Sequence, residues 1–159
     1  MTPAYKALLF GHILSVITWL GSSICMQVLS LRALRAGPTE SLRFLGDVEW
    51  IGKRLLSPAG LFVVIFGILL VNEVGYGFSD TWIVLALTGV ALAFLVVAGY
   101  LGPQSIRLSK LVGLRGPADP DVQARIRRIM LVSKIELVIL IAVILDMVAK
   151  PGYHLPGTP

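Results

Sequence analysis

Charged residues are scarce in this sequence of 159 residues. Only 14% of them are Asp, Glu, Lys or Arg, whereas soluble domains average about 25%. Hydrophobic residues make up 56% of the chain, and the mean hydropathy is +0.85. Because so few charges cannot cover a water-exposed surface, the composition predicts an integral membrane protein.

Cysteine and histidine are scarce too, with one Cys and two His in the chain. The single Cys25 cannot form an intramolecular disulfide, and no His or Cys pair has the spacing of a zinc site. A glycine-rich phosphate loop and a serine nucleophile elbow are also absent. We predict that Cys25 is a small buried apolar residue.

Four apolar runs are long enough to cross a bilayer, which takes roughly 20 helical residues. They cover residues 7–31, 55–74, 81–101 and 129–149. Little chain remains for a separate soluble domain. We therefore predict an all-α, integral membrane four-helix bundle that forms a single transmembrane domain over residues 1–159.

Basic residues are concentrated in two segments between these runs. Residues 32–54 and 102–128 hold eleven of the fourteen Lys and Arg residues. The positive-inside rule makes both segments cytoplasmic loops and places both termini outside. Within these loops we predict helices around Glu40–Arg54 and Pro120–Arg128. The excess of bases then sets topology and contacts anionic lipid headgroups, and we predict no nucleic-acid partner.

His12 lies in the first apolar run, far from any charge. At 100° per residue, Ser15, Ser22 and Ser23 share its face of the helix, together with Trp19. Small hydroxyl residues let a neighbouring helix or a flat ligand approach closely, so His12 faces the bundle interior. Two interpretations remain open. His12 is a structural residue bonded to a backbone carbonyl or hydroxyl, or it binds a ligand or handles protons.

The fourth run contains further ionisable residues. Glu136 lies too deep to reach water, so we predict a buried acid that is protonated, paired or next to a polar cavity. Asp146 is spaced to pair with Lys150 at i+4. It also lies at the depth of His12, and a carboxylate can orient a metal-binding imidazole. Met147 and His154 are the alternatives for a second axial ligand of a haem iron.

Two long stretches carry a resemblance to known proteins. The stretches "KALLFGHILSVITWLGSSICMQVLSLRALR" and "FLGDVEWIGKRLLSPAGLFVVIFGILLV", with the ending "DMVAKPG", resemble an uncharacterised family of predicted four-helix integral membrane proteins of bacteria. More distantly, the first helix and the start of the second are similar to HemJ-type protoporphyrinogen oxidases and to the membrane domain of copper-resistance protein D. Those oxidases carry a further histidine after the first helix, where this chain has "SLRALRAG".

The distant resemblance implies a b-type haem held by the first-helix histidine, which is His12 here, in the bacterial inner membrane. We assign His12, Trp19, Asp146 and Met147 to this cofactor site. The first functional hypothesis is therefore membrane redox or electron transfer. The alternatives are an ion-handling protein that uses Glu136 and Asp146, and a non-catalytic subunit of a larger membrane complex. Expected partners are the lipid bilayer and either other membrane proteins or further copies of this chain.

Overall fold

A computed structural model describes residues 2–152, and these residues form four long helices and no strand. Their bounds are α1 Pro3–Ala36, α2 Pro38–Val74, α3 Thr81–Arg115 and α4 Pro120–Ala149. The all-α prediction is confirmed for this part of the chain. His154, the alternative second haem ligand suggested by the sequence, lies outside the described residues.

The helices are longer than the apolar runs: the predicted helices around Glu40–Arg54 and Pro120–Arg128 are present, but they continue into the membrane-length helices and do not lie in separate loops. Residues 32–54 and 102–128 are almost entirely helical, so the turns at this end are Gly37 alone and residues 116–119. Hydropathy finds only the part of a helix that suits lipid, whereas Arg, Lys and Glu are also good helix formers. With 34 residues, α1 is roughly 51 Å long, well beyond the hydrocarbon thickness of about 30 Å.

Local signals set the helix ends. Thr2 caps α1 by accepting a hydrogen bond from the Tyr5 N–H at 3.0 Å, and Pro3 follows in the first turn. Gly37 has φ +118°, a backbone conformation that favours glycine, and it allows the sharp reversal into α2. The Asp119 side chain accepts from the Asp121 N–H at 2.8 Å and caps α4.

α2 and α3 each contain one five-residue π turn, Gly52–Leu56 and Val97–Leu101. Each π turn comes just before a proline, Pro58 in α2 and Pro103 in α3. Proline has no N–H and its ring clashes with the carbonyl four residues earlier, so a wider turn accommodates it without ending the helix. α2 and α3 therefore each remain one continuous helix.

α1 packs against α2 and α4, and α3 packs against α4. The central core surrounds Trp19, whose ring centroid lies 5.5 Å from that of Phe94. A second core at the basic end joins all four helices, with Val122 and Ile126 completely buried. The α3–α4 contact is close, because a Cβ on Gly89 would lie 2.3 Å from Val143 Cγ2.

Three of the described helices are long and apolar enough to cross a membrane: α1, α2 and α3. The chain is thus multi-pass by helix length and composition. α4, the fourth predicted span, is not among them, and its apolar stretch carries Lys134, Glu136 and Asp146.

Candidate functional site

His12 is half-buried on α1 and has a backbone partner. Its Nδ1 lies 3.0 Å from the carbonyl oxygen of Val63 on α2. A carbonyl only accepts hydrogen bonds, so this nitrogen carries the proton, and in the neutral ring Nε2 keeps its lone pair. Gly67 makes room for the ring, since a Cβ there would lie 3.3 Å from His12 Cε1.

The predicted stripe on α1 does face the other helices. Ser15 and Ser23 are buried, and the Ser15 hydroxyl donates to the Gly11 carbonyl at 2.7 Å. Trp19 is 7% exposed in the central core. Cys25 is exposed, so the prediction that it is buried is wrong. It lies about 140° from His12 around the helix, on the opposite face.

His12 and Met147 line the same small cavity. It encloses about 50 Å³ between the helices, at the end of the bundle away from the basic segments. The remaining lining is mostly apolar and comes chiefly from α2 and α3, including Val63, Gly67, Trp82 and Val90. Trp19 and Asp146, the other residues assigned to a cofactor site, do not line the cavity, so their role stays a prediction.

Asp146 does not make the contacts expected of it. Both of its carboxylate oxygens are buried without a hydrogen-bond partner among residues 2–152, and the Val63 carbonyl occupies the orienting position at His12 Nδ1. Lys150 turns towards aromatic side chains instead. Its Nζ donates to the Tyr76 hydroxyl at 3.3 Å and lies 5.1 Å from the ring centroids of Tyr76 and Trp82.

A second polar group lies between α1 and α4, nearer the middle of the bundle. The Gln27 side-chain amide donates to Ser133 Oγ at 2.9 Å, and that hydroxyl donates to the Met130 carbonyl. Glu136, one turn further along α4, is 6% exposed. Sequence reasoning singled out Glu136 but missed Gln27, although a lone glutamine in an apolar helix is the signal that would have found it.

The basic end contains a larger pocket of about 280 Å³, lined by Glu49, Ser105 and Ser109 among apolar residues. Its only charged lining residue, Glu49, already pairs with Lys53 at 2.6 Å. Both serine hydroxyls donate to carbonyls of their own helix. This pocket offers few free polar groups to a ligand.

A b-type haem can be tested against the residues of the outer cavity. An imidazole with a backbone-bonded Nδ1 and a thioether are a donor pair that haem iron accepts. No group of three or more His, Cys, Asp or Glu residues suits a bare metal ion within residues 2–152. The donor atoms therefore fit haem, but about 50 Å³ is far below the 300–1,000 Å³ of sites that enclose a ligand of that size.

The long apolar helices and their exposed apolar side chains define a multi-pass integral membrane protein. A model of one protein family matches residues 6–151, and its description is "Predicted integral membrane protein (DUF2269)". The chain belongs to this family, whose function is unknown. No curated protein and no solved structure matches the chain.

Proposed function

We propose that the chain crosses the bacterial cytoplasmic membrane four times, with the basic end inside and both termini outside. The side chains of α4 support the fourth span. Leu131, Val138 and Leu145 recur every seven residues and are each about 60% exposed, whereas Glu136 faces inward. Such an exposed apolar stripe can contact the lipid tails, while the polar residues of α4 face the other helices of the bundle. The bases at one end of the helices support the orientation.

We further propose that the protein binds a b-type haem through His12 and acts in membrane redox or electron transfer, with Met147 as the second ligand. The observation that carries this proposal is the shared cavity of these two side chains, together with the bond from His12 Nδ1 to the Val63 carbonyl. That bond fixes the ring and leaves Nε2 as the ligating nitrogen. A haem held there would supply one-electron chemistry within the bilayer.

The size of the cavity sets a condition on this proposal. α2 and α3 line most of the cavity, and they contact each other less extensively than α1 contacts α2. To admit a porphyrin, the bundle would have to widen between α2 and α3, a boundary that we call the α2–α3 seam. Residues along this seam, such as Ile68 and Phe78, are exposed on the bundle surface, where the bilayer supplies an apolar route.

Absorption spectroscopy tests the proposal. The purified full-length protein, as isolated or reconstituted with hemin, should show a Soret band that shifts on reduction. His12→Ala should remove most of the bound haem, and Met147→Leu should weaken binding and change the reduced spectrum. Met26→Leu is the matched control, because Met26 lies on α1 and does not line the cavity. His154→Ala tests the other histidine, and a loss of haem in His12→Ala and His154→Ala but not in Met147→Leu would transfer the second ligand from Met147 to His154.

A second candidate function is a non-catalytic subunit of a larger membrane complex. The observation in its favour is that the Val63 carbonyl already satisfies His12 and that the helices leave little space beside it. A protein that stays colourless after reconstitution, or that keeps its full haem content in His12→Ala, would exclude the first candidate. Copurification of the colourless protein with specific membrane proteins would then support the second.

A further inference from the structure

One polar contact fixes α1 against α4 in the interior of the bundle. The Gln27 Nε2 donates to Ser133 Oγ at 2.9 Å, across 106 residues of sequence. α1 and α4 run antiparallel, because an odd number of turns separates them. Residues that precede Gln27 on α1 therefore lie level with residues that follow Ser133 on α4. Glu136, three residues after Ser133, lies level with the turn of α1 between Ser23 and Gln27.

Helix geometry directs the side chains of Glu136 and Gln27 towards the same level of the α1–α4 contact. Side chains on an α-helix tilt towards its N-terminus. On α4 this direction brings the Glu136 carboxyl back towards Ser133, three residues earlier on the same face. On α1 it carries the Gln27 amide the opposite way, towards the level of Glu136. From these directions we infer that the Glu136 carboxyl lies within reach of the Gln27 amide.

The side-chain oxygen of Gln27 is a hydrogen-bond acceptor that needs a donor. Its Oε1 is buried and has no hydrogen-bond partner among residues 2–152. The nearby Ser133 hydroxyl already donates to the Met130 carbonyl at 3.0 Å. A buried carbonyl oxygen without a donor costs about 1–3 kcal/mol, so a protein group or a water molecule is expected to supply one.

Within residues 2–152, Glu136 forms no salt bridge with a Lys, Arg or His side chain. The other titratable groups near its depth are the exposed Cys25 on α1, the half-buried Tyr100 on α3 and the exposed Lys134 on α4 itself. α2 has no titratable residue between Arg54 and Glu73. Glu136 as a whole residue is 6% exposed, and an ionised carboxylate without a partner costs several kcal/mol in an apolar interior.

We propose that Glu136 binds a proton in the folded protein and donates it in a hydrogen bond to Gln27 Oε1, so that the α1–α4 contact is a proton-binding site within the membrane. One O–H donor then satisfies the orphaned amide oxygen and removes the unpaired charge. Release of the proton leaves a buried carboxylate facing a carbonyl oxygen, which separates the two side chains. This site is independent of haem, since it lies on a different contact from the His12 cavity.

Infrared spectroscopy of the full-length protein at neutral pH tests the proposal. A protonated carboxylic acid absorbs in a C=O stretching band that is distinct from the carboxylate bands. The parent should show this band, and carbon-13 in the side-chain carboxyl of glutamate should move it to lower frequency. Glu40, Glu49 and Glu73 are the other glutamates, and they lie outside the buried core. Labelling needs no substitution, so this measurement does not depend on a variant that folds.

Three variants assign the band. Glu136→Gln should remove it, and Asp146→Asn, the matched control at another carboxyl of α4, should leave the glutamate band unchanged. Gln27→Leu should keep the band but move it, because the proton loses its acceptor. The proposal is overturned by the absence of a glutamate-derived band, by its persistence in Glu136→Gln, or by an unmoved band in Gln27→Leu, which would make water the donor to Gln27.

Discussion

The two polar sites inside the bundle differ in what satisfies them. His12 in the outer cavity bonds to a main-chain carbonyl, which is present whatever side chain occupies position 63. Between α1 and α4, Gln27 bonds to the side chain of Ser133, and the proposed proton site adds the side chain of Glu136. A site tied to the backbone tolerates loss of its polar residue, whereas a site built of side chains fails when one of them carries the wrong charge. If the proposals hold, changes at His12 affect ligand binding first, whereas changes at Glu136 affect the contact between α1 and α4 first.

The largest expected effect comes from reversing the charge at the α1–α4 site. Glu136→Lys should abolish accumulation of the protein in the membrane, because a buried ammonium would face Gln27 and Ser133 without a counter-charge. Glu136→Gln should accumulate like the parent, since an amide keeps the shape and a donor. Quantitative immunoblots of membrane fractions compare the two variants. Normal levels of Glu136→Lys would mean that this position opens to water.

Cysteine labelling determines which side of the membrane each site faces. In a Cys25→Ser background, an impermeant thiol reagent added to intact cells should modify Ser79→Cys and spare Thr39→Cys and Leu114→Cys. All three positions are exposed, Leu114 at 84%. Lysed cells provide the control in which all three should react. The opposite pattern would place the His12 cavity in the inner half of the membrane.

A purely apolar contact provides a reference for both sites. Gly89→Ala should lower the thermal midpoint in detergent, because its Cβ would clash with Val143 Cγ2, so that either Val143 leaves its rotamer or α3 moves away from α4. Overpacking of this kind costs about 1–3 kcal/mol. Gly99→Ala, where nothing lies within 4 Å, is the matched control and should keep the midpoint or raise it. Equal midpoints for both variants would contradict the close α3–α4 approach.

The smallest expected effect is that of His12→Ala on stability. The Val63 carbonyl lies in the middle of α2 and keeps its helical partner, so the variant loses one hydrogen bond, worth about 0.5–1.5 kcal/mol. The thermal midpoint of the haem-free protein should therefore fall less than in Gly89→Ala. A larger fall would assign His12 to the packing of the bundle and weaken its role as a ligand.

The sequence predicts those parts of the molecule that hydropathy and helical periodicity control. The four helices and the inward stripe of Ser15, Trp19 and Ser23 follow from these patterns. Cys25 was mispredicted because a small apolar residue suits a core and a lipid-facing surface equally well. Helices within the basic segments were predicted, but their continuity with the membrane spans was not, because charge lowers hydropathy without lowering helix propensity.

The partners of the polar residues could not be predicted from the sequence. The bond from His12 to Val63 involves a main-chain atom 51 residues away, and no side-chain pattern encodes such an atom. Lys150 has the spacing to pair with Asp146, but it turns to Tyr76 and Trp82, 74 and 68 residues away. Long-range contacts of this kind depend on how the helices pack, which spacing along one helix does not determine.

The two π turns have a mechanical consequence. The α-helical segments between them and the short connection near residue 75 contain 18 residues in α2 and 16 in α3, so both turns lie at nearly the same depth. The Ser57 N–H reaches five residues back to the Gly52 carbonyl, where an α-helix would reach four. Bending at such a turn disturbs fewer regular hydrogen bonds than bending elsewhere. The matched turns therefore place the most easily bent point of α2 and that of α3 side by side, while α1 and α4 continue through this depth as unbroken α-helices.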